Sequence, residues 1–184
     1  GSDHGDFAGE HQMAAKGGVL YDCLVRIPMI VVAPNQFPQN EIIKSPVSLM
    51  DIIPTLFNLQ GLELPEGLDG QPLVPYSDAQ EQKYGFSLYG AGGPQFTMED
   101  LDKTDPPTGH QALFKTVKFR EPEGDRSMIR NANWKLVHDP MGDLDELFNI
   151  ETDPYEHTNL AEDAEFSDIK TELMDRLYEW RGWV

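Results

Sequence analysis

The sequence predicts a mixed fold, α/β passing into α+β. An α/β layer comes to its end, and a small unit with an antiparallel sheet and a C-terminal helix follows. Three observations carry this. Residues 29–33, Met-Ile-Val-Val-Ala between Pro28 and Pro34, form a continuous apolar run with the character of a strand buried on both faces. Beyond Pro75, short strand-like runs succeed one another with turn residues between them. Near the end Phe166, Ile169, Leu173, Leu177 and Trp180 recur at spacings of 3, 4, 4 and 3, the stripe of an amphipathic helix.

Taken in order, residues 1–18 are Gly-rich and polar and read as a loop. Residues 19–25 suit a turn or two of helix before the apolar run. A helix is predicted over 51–60. Asp51 is its expected N-cap, Pro54 falls in the first turn where its missing N–H costs little, and Gly61 supplies a left-handed residue past the end. Ile52, Ile53, Leu56, Phe57 and Leu59 give it a broad apolar face. A Gly/Pro-punctuated connection then leads to a domain boundary near Pro75, dividing 1–75 from 76–184. The predicted strands are 84–89, 112–120, 127–130, 134–138 and 146–149, with a hairpin turn at Asn131-Ala132-Asn133. Residues 90–109 form a long polar loop.

Composition narrows the function. The 184 residues carry 14 Lys+Arg against 32 Asp+Glu, a net charge of −18, which disfavours nucleic acid and anionic membranes as partners. A hydrophobic share of 39% is too high for a disordered acidic tail. The single cysteine, Cys23, excludes a disulfide framework and a thiolate metal cluster, and reads as a small buried hydrophobe. No apolar run approaches the roughly 18 residues a spanning helix needs.

The charge is also unevenly placed. Residues 115–135 hold 6 basic and 3 acidic side chains, whereas 139–184 hold 3 basic and 14 acidic ones. The basic island is expected to be either the solvated face of a β-ribbon or an anion site lined by Lys115, Lys118, Arg120, Arg126 or Arg130.

The chemistry concentrates at the start. Ser2-Asp3-His4-Gly5 sets a carboxylate beside an imidazole in a Gly-flanked loop. Neighbouring side chains reach one metal only where the chain bends, and Gly5 permits a bend. A mixed oxygen and nitrogen pair suits Ca²⁺, Mg²⁺, Mn²⁺ or Zn²⁺, and at least two further ligands must come from elsewhere.

After that turn come Gly9-Glu10-His11, Lys16-Gly17, Tyr21 and Arg26-Ile27-Pro28. This stretch resembles a metal-binding segment of the sulfatase family, within the alkaline-phosphatase-like superfamily. There an S-D-H/N-G turn is followed by a G-E-H step, a Lys thirteen residues after the Asp, and R-x-P before an apolar strand. Asp51-Ile52-Ile53-Pro54-Thr55-Leu56 with Leu68-Asp69-Gly70-Gln71-Pro72-Leu73 is similar to the family's D-x-x-P-T-L helix and its follow-on. So too are Trp134-Lys135-Leu136, Glu146-Leu147-Phe148-Asn149, Asp153-Pro154 and Thr158-Asn159-Leu160, which match its W/Y-K-L strand and its tail motif.

The resemblance implies that Asp3 and His4 ligate a divalent metal, most readily Ca²⁺ with Mg²⁺ and Mn²⁺ as alternatives, and that Lys16 contacts sulfate oxygens. His110 and Arg126 are candidate specificity residues, and His11 is expected to be structural. The family's nucleophile, a formylglycine made within C/S-x-P-S/A-R, has no counterpart here, because that pattern occurs nowhere in the chain. The expectation is therefore the C-terminal portion of a sulfuric ester hydrolase acting on a sulfated small molecule or glycan, with the formylglycine upstream and no turnover by this portion alone. Two alternatives stand: a phosphonate or phosphate ester hydrolase of the same superfamily, and a non-catalytic domain that binds an anionic glycan. The resemblance is compatible with a periplasmic or extracellular setting. A central strand with open edges would also favour self-association.

Overall fold

The computed structural model describes residues 1–37, 40, 42–43, 45–73, 84–90, 125–140 and 145–182. A small ribbon opens the chain, with β1 (Phe7–Ala8) antiparallel to β2 (Ala14–Ala15) around a 3-10 turn at Glu10–Gln12. Helix α1 (Asp22–Val25) follows, and α2 (Ile52–Leu59) comes later. Four strands, β3 (Gly85–Tyr89), β4 (Arg126–Arg130), β5 (Trp134–His138) and β6 (Glu146–Asn149), form one antiparallel sheet in sequence order. Helix α3 (Ser167–Arg181) closes the fold.

The strand register explains where the core lies. Phe86 faces Ile129, Ile129 faces Leu136, and Leu136 faces Leu147, giving one apolar row across all four strands. Leu173 and Leu177 of α3 pack on that row, and both are fully buried with Ile129, Leu136 and Leu147. At the rim the Phe86 and Trp180 rings stack, with centroids 4.4 Å apart. Because side chains alternate along a strand, Met128 and Val137 point the other way, and there they bury Leu20 from the N-terminal segment. The sheet is thus covered on both faces, by α3 on one and by residues around α1 on the other.

The four strands and both long helices arise where the sequence places them. The hairpin turn is held by the Asn131 side-chain oxygen, which accepts from the amides of Asn133 (2.9 Å) and Trp134 (2.7 Å). Gly61 takes a φ of +66°, as expected past α2, and Gly182 ends α3 at +67°. The predicted strand 112–120 and nearly all of the loop 90–109 lie outside the described residues.

Two expectations are corrected. Residues 29–33 form no strand, and Ile30 and Val32 are 80% and 83% exposed. A strand buried on both faces needs ladder partners and covering layers, and no strand among the described residues runs beside this one. Asp51 does stand at the N-cap position of α2, but with helical backbone angles and no capping bond from its side chain. The helical path begins earlier, in a 3-10 turn at Leu49–Asp51 capped by Ser48, whose amide donates to Asp51 Oδ2 at 2.8 Å.

That shift gives Asp51 a different task. Its other oxygen accepts the Gln71 amide at 3.0 Å, while Thr55 Oγ1 accepts the Leu73 amide at 3.0 Å. The D-x-x-P-T-L motif therefore staples the connection after α2 to the helix. Gly70 is required there, since a Cβ would fall 2.1 Å from the Met50 carbonyl oxygen. Among the described residues no helix is long and apolar enough to cross a membrane.

Candidate functional site

Ser2 to Gly5 form a tight turn. The Ser2 hydroxyl donates to the His4 carbonyl at 2.7 Å, and the His4 amide donates to Asp3 Oδ1 at 3.1 Å. Hydrogen bonds from its own amide and that of His4, with the nearby imidazole, hold the exposed Asp3 carboxyl below its usual range. The bend at Gly5 is enforced by packing. A Cβ there would lie 2.0 Å from the Cys23 carbonyl oxygen, and the Gly5 amide donates to the Leu24 carbonyl at 2.8 Å. The turn is thus seated on α1.

His4 is oriented by its neighbours. Nδ1 lies 2.8 Å from the Gly5 carbonyl, an arrangement that assigns the proton to Nδ1 and leaves the Nε2 lone pair facing out. Lys16 Nζ sits 2.8 Å from that Nε2 and donates to it. Asp3 Oδ2 is 3.6 Å from the same nitrogen. Two ligands at about 2.1–2.4 Å from one metal are separated by about this distance, so the pair fits two positions of a divalent cation's coordination shell. Among the described residues no group of three or more His, Cys, Asp and Glu gathers to complete such a shell. The turn and Lys16 open on a groove of about 1820 Å³ whose walls also include Gly18, Tyr89, Ile30 and Trp180.

Beneath the turn lies an ionic cluster that the sequence did not announce. Lys135 is wholly buried, with Nζ 3.1 Å from Asp22 Oδ1 and 2.5 Å from Glu156 Oε1. Arg130 reaches Asp22 Oδ2 at 3.2 Å, and Glu156 Oε2 accepts the Asp22 amide at 2.6 Å. Burial raises the Glu156 carboxyl above its ordinary value, against the pull of Lys135. The cluster ties α1, and with it the His4 turn, to the sheet.

Arg126 also turns inward. Its Nε donates to Asp139 Oδ2 at 2.6 Å, and Nη1 donates to the Gly18 carbonyl. This corrects the picture of the basic island. Its described members are not solvated: Arg126, Arg130 and Lys135 each meet a carboxylate, and Arg130 also stands in the wall of the groove. The register explains why. Arg130 pairs with Lys135 across β4 and β5, and these side chains share the Met128 and Val137 face that the N-terminal segment covers. Lys115, Lys118, Arg120 and His110 lie outside the described residues.

His11 is half-buried and stacks on Tyr21 with ring centroids 3.9 Å apart, and the Tyr21 hydroxyl donates to Glu146 at 3.1 Å. Cys23 is a free, half-buried thiol that burial pushes upward in pKa. The tail motif also serves the fold. The Asn159 side-chain oxygen accepts from the amides of Leu147 and Ala161, both at 2.9 Å.

The order of these features can be set beside known proteins. The uncharacterized sulfatase YidJ of Escherichia coli is 27% identical over 179 residues, 97% of this chain and 31% of its own length. Arylsulfatase K of Bos taurus is 29% identical over 181 residues, 96% of this chain and 29% of its own. Along nearly its whole length the chain is similar to sulfatases. No family model matches it. Its fold is shared with a solved 2-O GAG sulfatase, at a TM-score of 0.73 and 24% identity over 97% of this chain and 34% of that one. It is also shared with the phosphonate monoester hydrolase of Silicibacter pomeroyi, at 0.72 and 22% identity over 97% of this chain and 33% of that one. The chain spans about a third of the length of these relatives.

Of the expected site residues, Asp3, His4 and Lys16 come together in one place. Arg126 approaches the same segment from below, through Gly18. Sequence reasoning missed Asp22, Glu156 and the burial of Lys135. The available signal was a lysine set among apolar residues of one strand, Trp134-Lys135-Leu136-Val137.

Proposed function

We propose that this chain is the C-terminal portion of a sulfuric ester hydrolase, with Asp3 and His4 as two ligands of a divalent cation and Lys16 as a contact for sulfate oxygens. The observation that carries the reading is the convergence of those three side chains, Lys16 Nζ and Asp3 Oδ2 lying 2.8 Å and 3.6 Å from the same imidazole nitrogen. Ca²⁺ is the expected cation, with Mg²⁺ and Mn²⁺ as alternatives, and when bound it supplies positive charge to the oxygens of a sulfuryl group in transfer. Lys16, a compact point charge, binds the same oxygens. The Gly5 carbonyl holds the His4 tautomer whose Nε2 lone pair, which accepts from Lys16 here, would turn to the cation as Lys16 turns to the sulfate oxygens. The attacking nucleophile, a formylglycine, is proposed to lie upstream, so this chain alone does not turn over. A sulfated small molecule or glycan is the proposed substrate, and the likeness to a GAG sulfatase supports the glycan.

The test compares aryl sulfate, aryl phosphate and aryl phosphonate esters as substrates of the longer polypeptide, before and after chelation. Hydrolysis of the sulfate ester that Ca²⁺ restores is expected, with Asp3→Ala, His4→Ala and Lys16→Ala each lowering kcat by about 10²–10³. Faster hydrolysis of the phosphonate or phosphate ester would transfer the assignment to the related hydrolases. Substantial metal-dependent turnover by these 184 residues alone would overturn the upstream nucleophile. The glycan-binding alternative loses support from Arg126 and Arg130, whose guanidinium groups are engaged by Asp139 and Asp22.

A further inference from the structure

We propose that Arg126 is a positioning residue for Lys16, acting with Tyr89 as a clamp on the Lys16-Gly17-Gly18 segment; the proposal rests on the reading of Lys16 as an anion contact. Residues 16–19 lie outside any helix or strand, so their placement depends on what they touch. Two contacts come from one cross-strand pair of the sheet, because Tyr89 and Arg126 face each other across β3 and β4.

Arg126 is itself fixed. Its side chain and that of Asp139 are largely buried, at 16% and 12% exposure, and their 2.6 Å ion pair sets the plane of the guanidinium. Its Nη1 then donates to the Gly18 carbonyl, two residues from Lys16. Gly18 also lies against the Tyr89 ring, so closely that a Cβ would fall 2.7 Å from Cε1. The next residue back is different: a Cβ on Gly17 meets nothing within 4 Å. The close fit is therefore confined to Gly18, and Lys16 extends from it to the 2.8 Å contact with His4 Nε2. The C-terminal sheet thereby sets the position of a cation placed early in the chain.

The first test uses hydrogen exchange in the 184-residue chain, with α3 as internal reference. Arg126→Gln is expected to speed exchange of residues 14–20 by about 10-fold or more, the factor that one lost charge-assisted hydrogen bond gives, while α3 is unchanged. Gly18→Ala should act in the same direction and Gly17→Ala should not. Asp139→Asn keeps the guanidinium but removes its anchor, and serves if Arg126→Gln fails to fold. Unaltered exchange of residues 14–20 in the folded variants would overturn the clamp.

The second test uses kcat/KM of the longer polypeptide on an aryl sulfate ester. Arg126→Gln should lower it about 10-fold alone and by less than about 2-fold in a Lys16→Ala background, because the effect runs through Lys16. Effects that multiply in the double variant would mean that Arg126 meets the substrate directly, and would overturn the proposal. A clamp seen by exchange in a protein that hydrolyses no sulfate ester would sustain the positioning and refute only the substrate assignment.

Discussion

Replacing Lys135 with methionine removes the buried charge while keeping most of the side-chain volume. Lys135 is 0% exposed, and the Glu156 and Asp22 carboxylates that flank it are 2% and 9% exposed. Breaking a buried pair from one side costs about 3–5 kcal/mol, because the partner charge stays desolvated. Arg130 remains 3.2 Å from Asp22, so that carboxylate keeps a cation, and Glu156 keeps the Asp22 amide at 2.6 Å. The loss should therefore fall near the lower end, about 3 kcal/mol. For a chain of this size that corresponds to a fall in Tm of roughly 6–12 °C.

The pH dependence follows from Glu156. Its carboxyl is already raised above the ordinary 4.5 by burial, and Lys135 is the largest influence pulling it back. A raised carboxyl contributes fully to stability below 4.5 and loses that contribution as the pH rises through the folded value. Without Lys135 the folded value climbs further. The deficit of the variant should thus be largest at alkaline pH and shrink as the pH falls and Glu156 takes up a proton. Urea melts of both proteins at a series of pH values measure it. A second change, Glu156→Gln, should recover most of the loss. A deficit below about 1 kcal/mol, or one independent of pH, would refute the picture of a desolvated carboxylate held by Lys135.

Two further outcomes follow from the geometry. Gly5→Ala sets a Cβ 2.0 Å from the Cys23 carbonyl oxygen, so the His4 turn must lift from α1. Urea melts should show a loss of about 1–3 kcal/mol, and calorimetric Ca²⁺ titration of the longer polypeptide should show weaker binding. Tyr21 is pushed up to about 12 by burial and by Glu146. A raised phenol contributes stability fully below its ordinary value of 10 and loses it as the pH rises toward about 12. Tyr21→Phe should flatten the stability profile in that window, and absorbance titration should show one tyrosine fewer ionising late.

The fold was legible where it depends on local pattern. The alternation in 127–130, 134–138 and 146–149, the turn at Asn131, and the 3, 4, 4, 3 spacing in α3 each state their own outcome, because period and turn chemistry act over a few residues. Of the site, the sequence marked Asp3, His4 and Lys16 by their order, and the fold brings Lys16 within hydrogen-bonding range of the His4 imidazole, with Asp3 Oδ2 at 3.6 Å. The exposed run at 29–33 misled for a physical reason. An apolar stretch records that a segment prefers burial, but the strands that would bury it must come from elsewhere.

By itself, then, the sequence determined the four strands of the sheet, the two long helices and the likeness to sulfatases. The tertiary structure decided which face each charge meets. The partners of the buried Lys135 could not be read from its own strand, since Asp22 and Glu156 lie 113 and 21 residues away along the chain. Arg126 likewise gains its meaning only when the sheet carries it beneath Gly18. Charge pairing in a desolvated interior depends on distances that folding creates, and no local pattern records them.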